Sequence, residues 1–356
     1  MTRSRSSGGR VVRLVAGTAL GAVAAQAAYR ALVRRPPGSN EPVPGAERRR
    51  NGGNRPVGLS RGMWEGVLPQ VKGLGGADVW GRTNHRGEPV TLLEGPAFVA
   101  GAAAAGLLAP GTGGRMRAAA LLAGAGSGLL GAYDDLAGSA DSRGFKGHLG
   151  ALARGEVTSG AVKILGIGAT GLAAAAVAGP PASSRSAGTA AGLLDTLING
   201  AIIAGSANLM NLFDLRPGRA IKVGLIAGTP LALSSSASAV VAAPLGAAAA
   251  LLPEDLAERA MLGDTGSNAL GALLGLAATR LGRGPRLAVL AGLAGLNAAS
   301  EFVSFTKVIR ETPVLNWVDM LGRRPPATPG PSPSVQVPPQ AGPVSAGDGA
   351  VAGPAS

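Results

Sequence analysis

The sequence has no cysteine, two histidines and few aromatic side chains: Phe, Tyr and Trp make up 3% of its 356 residues. The missing cysteine excludes disulfides, thiolate metal sites and a cysteine nucleophile. Charge is scarce as well. Asp, Glu, Lys and Arg together reach 15%, against roughly 25% in an ordinary soluble domain. The mean hydropathy is +0.27 even though two long polar stretches are averaged into it. A conventional soluble globular protein is thereby excluded. What is present is mostly Ala, Gly, Leu and Val, gathered into apolar blocks about as long as a bilayer is thick. The composition reads as a polytopic, all-α membrane protein.

Apolar blocks at 11–33, 90–110, 116–133, 157–179, 190–213, 220–234, 237–252, 266–280 and 286–304 predict a transmembrane helix bundle of about nine or ten spans. Blocks 220–234 and 237–252 are short for full spans. Small residues four apart recur, as in Gly17/Gly21 and Gly271/Gly275, and such spacing lets helix backbones approach closely in lipid. The chain divides into an N-terminal transmembrane helix (1–33), a basic cytoplasmic loop (34–89), a transmembrane core (90–324) and a disordered Pro/Ala/Gly/Ser tail (325–356).

The first 33 residues resemble a signal peptide, with a basic start, an apolar centre and small residues from Ala24 to Ala28. Charge bias argues against cleavage. Loop 34–89 carries ten Lys/Arg, including Arg48, Arg49 and Arg50, against four at the N-terminus. The loop therefore faces the cytoplasm and the N-terminus lies outside. Counting spans from there puts loops 134–156, 214–222 and 253–265 and the C-terminus inside. Lys and Arg then divide 21 inside to 10 outside, with Arg30 and Lys163 left within spans. A net charge of +13 and a pI near 11.4 raise the question of nucleic acid. The basic residues flank apolar segments and show no aromatic interleaving, so the expected partner is anionic membrane lipid, with no nucleic acid.

Only 20 acidic residues exist, and three groups of them fall at cytoplasmic span ends. Gly131-Ala132-Tyr133-Asp134-Asp135 closes the third span. Two carboxylates there face the negative end of the helix dipole, at roughly 0.3–1 kcal/mol each. A metal or a base such as Lys146 would offset them; a pair of solvated loop carboxylates is the alternative. In the second group, Asn208, Asn211 and Asp214 recur every three residues on one helix face, followed by Arg216, Arg219 and Lys222. Such polar groups mark a site or interhelical hydrogen bonds, and the basic triplet suits phosphate oxygens or positive-inside anchoring. The third group, Gly263-Asp264-Thr265-Gly266-Ser267-Asn268, opens the eighth span. Asp264 or Ser267 caps that helix, or the glycines bring backbone N–H groups to an anion while Asp264 holds a divalent cation. Three oxygen-rich clusters on one membrane face, with basic residues between them, outline a Mg²⁺–diphosphate site. Asp195, near the outer end of the fifth span, belongs to none of them.

The order Gly-x-x-Asp-Asp, Asn-x-x-Asn-Leu-x-Asp, Gly-Asp-x-Gly-Ser resembles the polyprenyl-phosphate N-acetylhexosamine-1-phosphate transferase superfamily. That superfamily includes phospho-N-acetylmuramoyl-pentapeptide transferase and the lipid-linked GlcNAc-1-phosphate transferases. The likeness runs from about Arg82 to Gly322, and Thr83-Asn84-His85-Arg86-Gly87-Glu88-Pro89 is similar to the family's first cytoplasmic loop. The resemblance implies a plasma-membrane enzyme with its active site at the cytoplasmic face. It would transfer a sugar-1-phosphate from a UDP-sugar to polyprenyl phosphate with Mg²⁺ (or Mn²⁺), releasing UMP for cell-envelope polymer synthesis; a homodimer is an allowed assembly.

Carried over by residue, Asp264 is the implied metal ligand, and Asp134 and Asp135 serve the acceptor phosphate and the metal. Asp134 is the general base if one is needed; a lipid phosphate already dianionic at neutral pH needs none. Asn211 and Asp214 contact the donor diphosphate, Lys146 pairs with phosphate, and Asn208, Arg216, Arg219 and Ser267 complete the expected substrate site.

Two departures stand out. The family's second motif continues with another Asp, where this chain has Pro217, and its C-terminal His-rich loop is replaced by Glu301–Arg310. There Lys307 and Arg310 are the available phosphate contacts, while His148 reads as a loop residue. A catalytically silent homologue that binds polyprenyl phosphate or scaffolds envelope enzymes is the competing reading. A secondary transporter would instead need repeat symmetry and polar residues at mid-span.

Overall fold

Each apolar block folds as a helix, and the helix ends follow from chain chemistry. In this computed structural model the described residues are 2–37, 77–84, 86–137, 150, 154–155, 158–180 and 189–325. Helix α1 is Thr2–Arg34, and a four-residue turn α2 (Ala77–Trp80) precedes a hairpin of β1 (Gly81–Thr83) and β2 (Pro89–Thr91). Then come α3 (Glu94–Leu108) and α4 (Gly114–Leu121), which runs through a π-turn at Leu122–Gly126 into α5 (Ser127–Ala137). The chain continues with α6 (Ser159–Ala178), α7 (Thr189–Phe213), α8 (Arg219–Leu233), α9 (Ser238–Leu256), α10 (Gly263–Ala278) and α11 (Arg283–Ala299). Two short helices close it, α12 (Phe305–Glu311) and α13 (Pro313–Met320).

Thr158 caps α6 by accepting from the Ala161 N–H at 3.1 Å. Gly179 ends the same helix with a positive φ of 68°. Four helical stretches are long and apolar enough to cross a membrane: Gly8–Arg34, Ser159–Ala178, Thr189–Phe213 and Ser238–Leu256. The outward faces agree with a lipid setting. Val12, Val23, Leu129, Leu165, Leu193 and Leu233 are exposed, whereas Glu94, Lys163, Asp255 and Arg286 are buried.

Helix α10 is the axis of the fold. Every residue from Gly263 to Ala278 except Asp264 is buried, which its Gly, Ala and Leu composition permits on all sides. Close approach is the reason for two of the glycines. A Cβ at Gly271 would fall 2.2 Å from the Ser206 carbonyl oxygen of α7, and one at Gly131 would fall 2.2 Å from the Asp264 carbonyl oxygen. Any side chain at either position would push α7 or α5 away from α10. Helix α1 packs by the same device: a Cβ at Gly21 would meet the Ala243 carbonyl of α9 at 2.1 Å.

One element departs from a purely helical reading. The end of the basic segment 34–89 is an antiparallel hairpin pairing Gly81 with Thr91 and Thr83 with Pro89, and the second apolar helix begins only at Glu94. The Asn84 side-chain carbonyl accepts from the Arg86 and Glu88 N–H groups and closes the turn. The hairpin is joined to the α9–α10 connection by the Met261 N–H donating to the Thr91 carbonyl at 2.9 Å. Arg48, Arg49, Arg50, His85, Lys146, His148 and the expected tail from 326 onward lie outside the described residues.

Candidate functional site

A lysine in a membrane-length helix needs a partner, and Lys163 of α6 has several. Its ammonium is buried and lies 3.1 Å from Asp134 Oδ2 and 3.5 Å from Asn211 Oδ1. It also donates to Asp264 Oδ2. Asn211 Nδ2 donates in turn to Asp264 Oδ1 and, at 3.3 Å, to the buried Ser267 hydroxyl. Four helices thus each send a polar group to one point: α5 with Asp134, α6 with Lys163, α7 with Asn211, and α10 with Asp264 and Ser267. Gly131, one turn before Asp134 and Asp135, sets the separation of α5 and α10.

Asp135 does something different from its neighbour. Its carboxylate accepts from the Asp264 N–H at 3.0 Å, the Thr265 N–H at 2.9 Å and the Thr265 hydroxyl at 2.7 Å. It therefore caps α10 from another helix, satisfying N–H groups that the helix itself cannot. Arg82 of the hairpin donates to the Asp135 carbonyl, tying β1 to the same corner.

Asp214 sits in the turn after α7 and lines a cavity of about 250 Å³ with Asn84, Arg216, Pro217, Asp255 and Glu258. Burial, then the nearby Asp255, Asp264 and Asp135 charges, push its carboxyl well above the usual range against one Gly263 N–H bond that lowers it. Glu258, held at a positive φ of 58°, receives the Arg86 Nε at 3.0 Å and the Asn84 amide at 2.9 Å.

The remaining expected residues are spread out. Asn208 Nδ2 bonds Asn297 Oδ1 of α11 at 2.6 Å, and both line an apolar groove of about 420 Å³ that also includes Lys163, Ile164, Ile167 and Ala204. The buried Arg219 forks onto Asp319 of α13 at 2.7 and 3.0 Å and reaches Thr306 at 2.9 Å. Its guanidinium is thus engaged in docking the C-terminal helices. Lys222 does the same by donating to the Val318, Asp319 and Leu321 carbonyls. Partial burial would raise the Asp319 carboxyl, but Arg219 and then Arg323 and Lys222 hold it below the ordinary range. Lys307 stands exposed in the first turn of α12. Asp195 finds its place at the opposite end of α7, where Arg286 of α11 donates to it at 2.9 Å and to Asn199 at 2.9 Å.

Lys163 is the member that motif reading passes over. The signal was a single lysine inside an apolar block, left over when the loop charges were counted. Among the described residues, no three acidic or histidine side chains converge closely enough to chelate a metal directly. Compared with known protein families and with curated proteins, the sequence matches none.

Proposed function

We propose that the protein is a membrane-embedded transferase that moves a sugar-1-phosphate from a UDP-sugar to polyprenyl phosphate and releases UMP. The observation that carries this reading is Lys163, ringed by Asp134, Asn211 and Asp264, on the wall of an apolar groove that Ile164, Ile167, Ala204 and Asn208 also line. A lipid phosphate presents that combination in reverse, with an anionic head on an apolar chain. In the reaction, an oxygen of the lipid phosphate attacks the donor phosphorus that carries the sugar. A new P–O–P linkage forms, the bond to the uridylate oxygen breaks, and UMP takes the electron pair. With a dianionic acceptor no proton has to move.

Such a displacement needs alignment and charge neutralisation more than covalent chemistry. Lys163 would meet the acceptor phosphate, and Asn211, which also donates to Ser267, orients the Asp264 carboxylate. Asp264, with Asp134 beside it, is the side chain that would hold Mg²⁺, the ion replacing the Lys163 contact to both carboxylates, while Asp135 is committed to the backbone N–H groups of the α10 cap. A Mg²⁺ that keeps water and phosphate oxygens as its other ligands fits this donor set. When bound, it would neutralise the donor diphosphate. The orientation that puts this end of the bundle in the cytoplasm follows from the Lys/Arg bias.

The silent-homologue reading draws on two observations: the Lys163 ammonium already balances Asp134 and Asp264, and Pro217 stands where a further carboxylate is expected. The deciding experiment gives the purified protein Mg²⁺, undecaprenyl phosphate and a panel of UDP-HexNAc donors. UMP release that requires metal and lipid and is abolished in Asp264→Asn supports the transferase. No release with any donor, while the lipid phosphate still binds, supports the silent homologue.

A further inference from the structure

Helix α13 turns its polar side inward and its apolar side out. Its one charged side chain, Asp319, is buried and takes both arms of the Arg219 guanidinium. Lys222 donates to the Val318, Asp319 and Leu321 carbonyls at the helix end. At about 100° per residue, Val314, Trp317 and Met320 fall on the side opposite Asp319. That side is open: Val314 is 70% exposed and Trp317 66%. A contiguous apolar face of this kind is a contact surface.

Three observations say what covers it. The first is depth. Arg219 and Lys222 stand in the first turn of α8, so α13 packs at one end of that apolar helix and not at its middle. Between the two lies a cavity of about 280 Å³ walled by Phe213, Val223, Ile226, Ile309, Leu315 and Val318. The contact thus runs from Arg219 to Ile226, about 10 Å along the helix axis, which is the depth to which an interfacial helix sinks its apolar face. The second is length. Eight residues make about 12 Å of helix, against about 30 Å of hydrocarbon, so α13 can lie in a membrane surface and cannot cross one. The third is company. Helix α12 leaves Lys307, Arg310 and Glu311 exposed, the charges of a headgroup layer, and Trp is the residue favoured at that level. Ile226, also exposed, carries the apolar surface on to the outer wall of α8.

We propose that α13 is an interfacial membrane anchor: the face made by Val314, Trp317 and Met320 lies in the boundary between phospholipid headgroups and acyl chains, with α12 at headgroup level. The occupant of that face is phospholipid. The anchor is also tied to the hairpin, since Arg324, just past α13, donates through both arms to Glu88 and the Arg324 carbonyl accepts from Arg86 at 3.1 Å. The first turn of α8 and the hairpin are thereby fastened to the membrane surface through one short helix. The inference rests on the membrane reading of the bundle and not on sugar-phosphate transfer.

The test reconstitutes the full chain in phosphatidylcholine vesicles and follows tryptophan emission, with the share of Trp317 taken as the emission lost in Trp317→Phe. Phosphatidylcholine brominated near the glycerol end, or near the chain terminus, then replaces the ordinary lipid. The expected result is blue-shifted Trp317 emission, quenched more by the shallow bromines than by the deep ones. Leu165→Trp made in the Trp317→Phe protein, on the exposed side of α6, should show the reverse order. Val314→Glu should shift Trp317 to the red and reduce its quenching. Quenching of Leu165→Trp without quenching of Trp317, or stronger quenching of Trp317 by the deep bromines, would overturn the proposal and leave the bundle in the membrane. Quenching of neither would remove the membrane reading with it. Trp317 quenching that appears only after residues 326–356 are removed, or only when the protein is diluted in lipid, would give the face to the tail or to a second copy and overturn the proposal as well. Absence of UMP release with the shallow quenching intact would remove the transferase and leave the anchor standing.

Discussion

Replacing Asp135 with Asn separates the metal role that the sequence motif implies from the capping role that the structure shows. As a metal ligand, Asp135 would matter to ion binding and little to folding. As the cap of α10 it matters to the fold, because α10 is buried along nearly its whole length. The carboxylate accepts three hydrogen bonds at 2.7–3.0 Å. An Asn carbonyl at the Oδ2 position can keep both Thr265 bonds, now to an uncharged acceptor, while its NH₂ turns toward the Asp264 N–H. One lost hydrogen bond to a charged group at about 1.5–3 kcal/mol, together with the weakening of the other two, sets the expected loss at about 3 kcal/mol. At about 2–4 °C per kcal/mol, the melting temperature in detergent should drop by about 6–12 °C. Thr265→Val, which removes only the hydroxyl donor, should lose about 1.5–3 kcal/mol. The assay is thermal unfolding followed by tryptophan fluorescence, with Mn²⁺ titrated into the same samples. A melting temperature within about 1 °C of wild type, together with weakened Mn²⁺ binding, would refute the cap argument and return Asp135 to the metal.

The other expectations concern packing, a buried ion pair and pH. Gly271→Ala should destabilise by about 2 kcal/mol or more, since its Cβ would meet the Ser206 carbonyl at 2.2 Å. Gly292→Ala, with nothing within 4 Å, should raise the melting point slightly, by at most about 1 kcal/mol. Arg286→Met alone strands Asp195 and should cost about 3–5 kcal/mol, while Arg286→Met with Asp195→Leu should recover most of it. A double mutant as unstable as the single one would show that the pair does not act as a unit. The raised Asp214 carboxyl makes the fold less stable as pH climbs from the ordinary carboxylate range through its elevated value, because the native state holds the proton that the unfolded chain has released. Asp214→Asn should therefore raise the melting temperature more at pH 8 than at pH 4, and equal gains at both would count against it.

The all-helical character was legible in the sequence because long apolar blocks leave few alternatives to helix, although four helices, against the nine or ten spans expected, are long and apolar enough to cross a membrane. The nine blocks and the observed helices agree to within a few residues at most ends. The hairpin at 81–91 was not legible, since its strands are three residues each and its register depends on pairing with the α9–α10 connection. Asp134, Asn211 and Asp264 were visible as polar residues at helix ends. Their convergence on Lys163 was not, because that lysine carries no motif and its partners come from helices 29, 48 and 101 residues away in sequence. Arg219 shows the opposite case. Beside Asn211 and Asp214 it reads as a phosphate contact, but in space Asp319, 100 residues later, takes both arms of its guanidinium.

Composition and periodicity by themselves determined that the chain is helical, that its helices are apolar outward, and that its scarce carboxylates gather at helix ends. Those are local properties, fixed by hydropathy and by which residues tolerate lipid. Only the tertiary structure decided that Asp135 caps a helix while Asp134, its neighbour, faces a lysine. Helix α5 turns adjacent side chains about 100° apart, so two neighbouring aspartates must point to different places, and packing against α10 chose which.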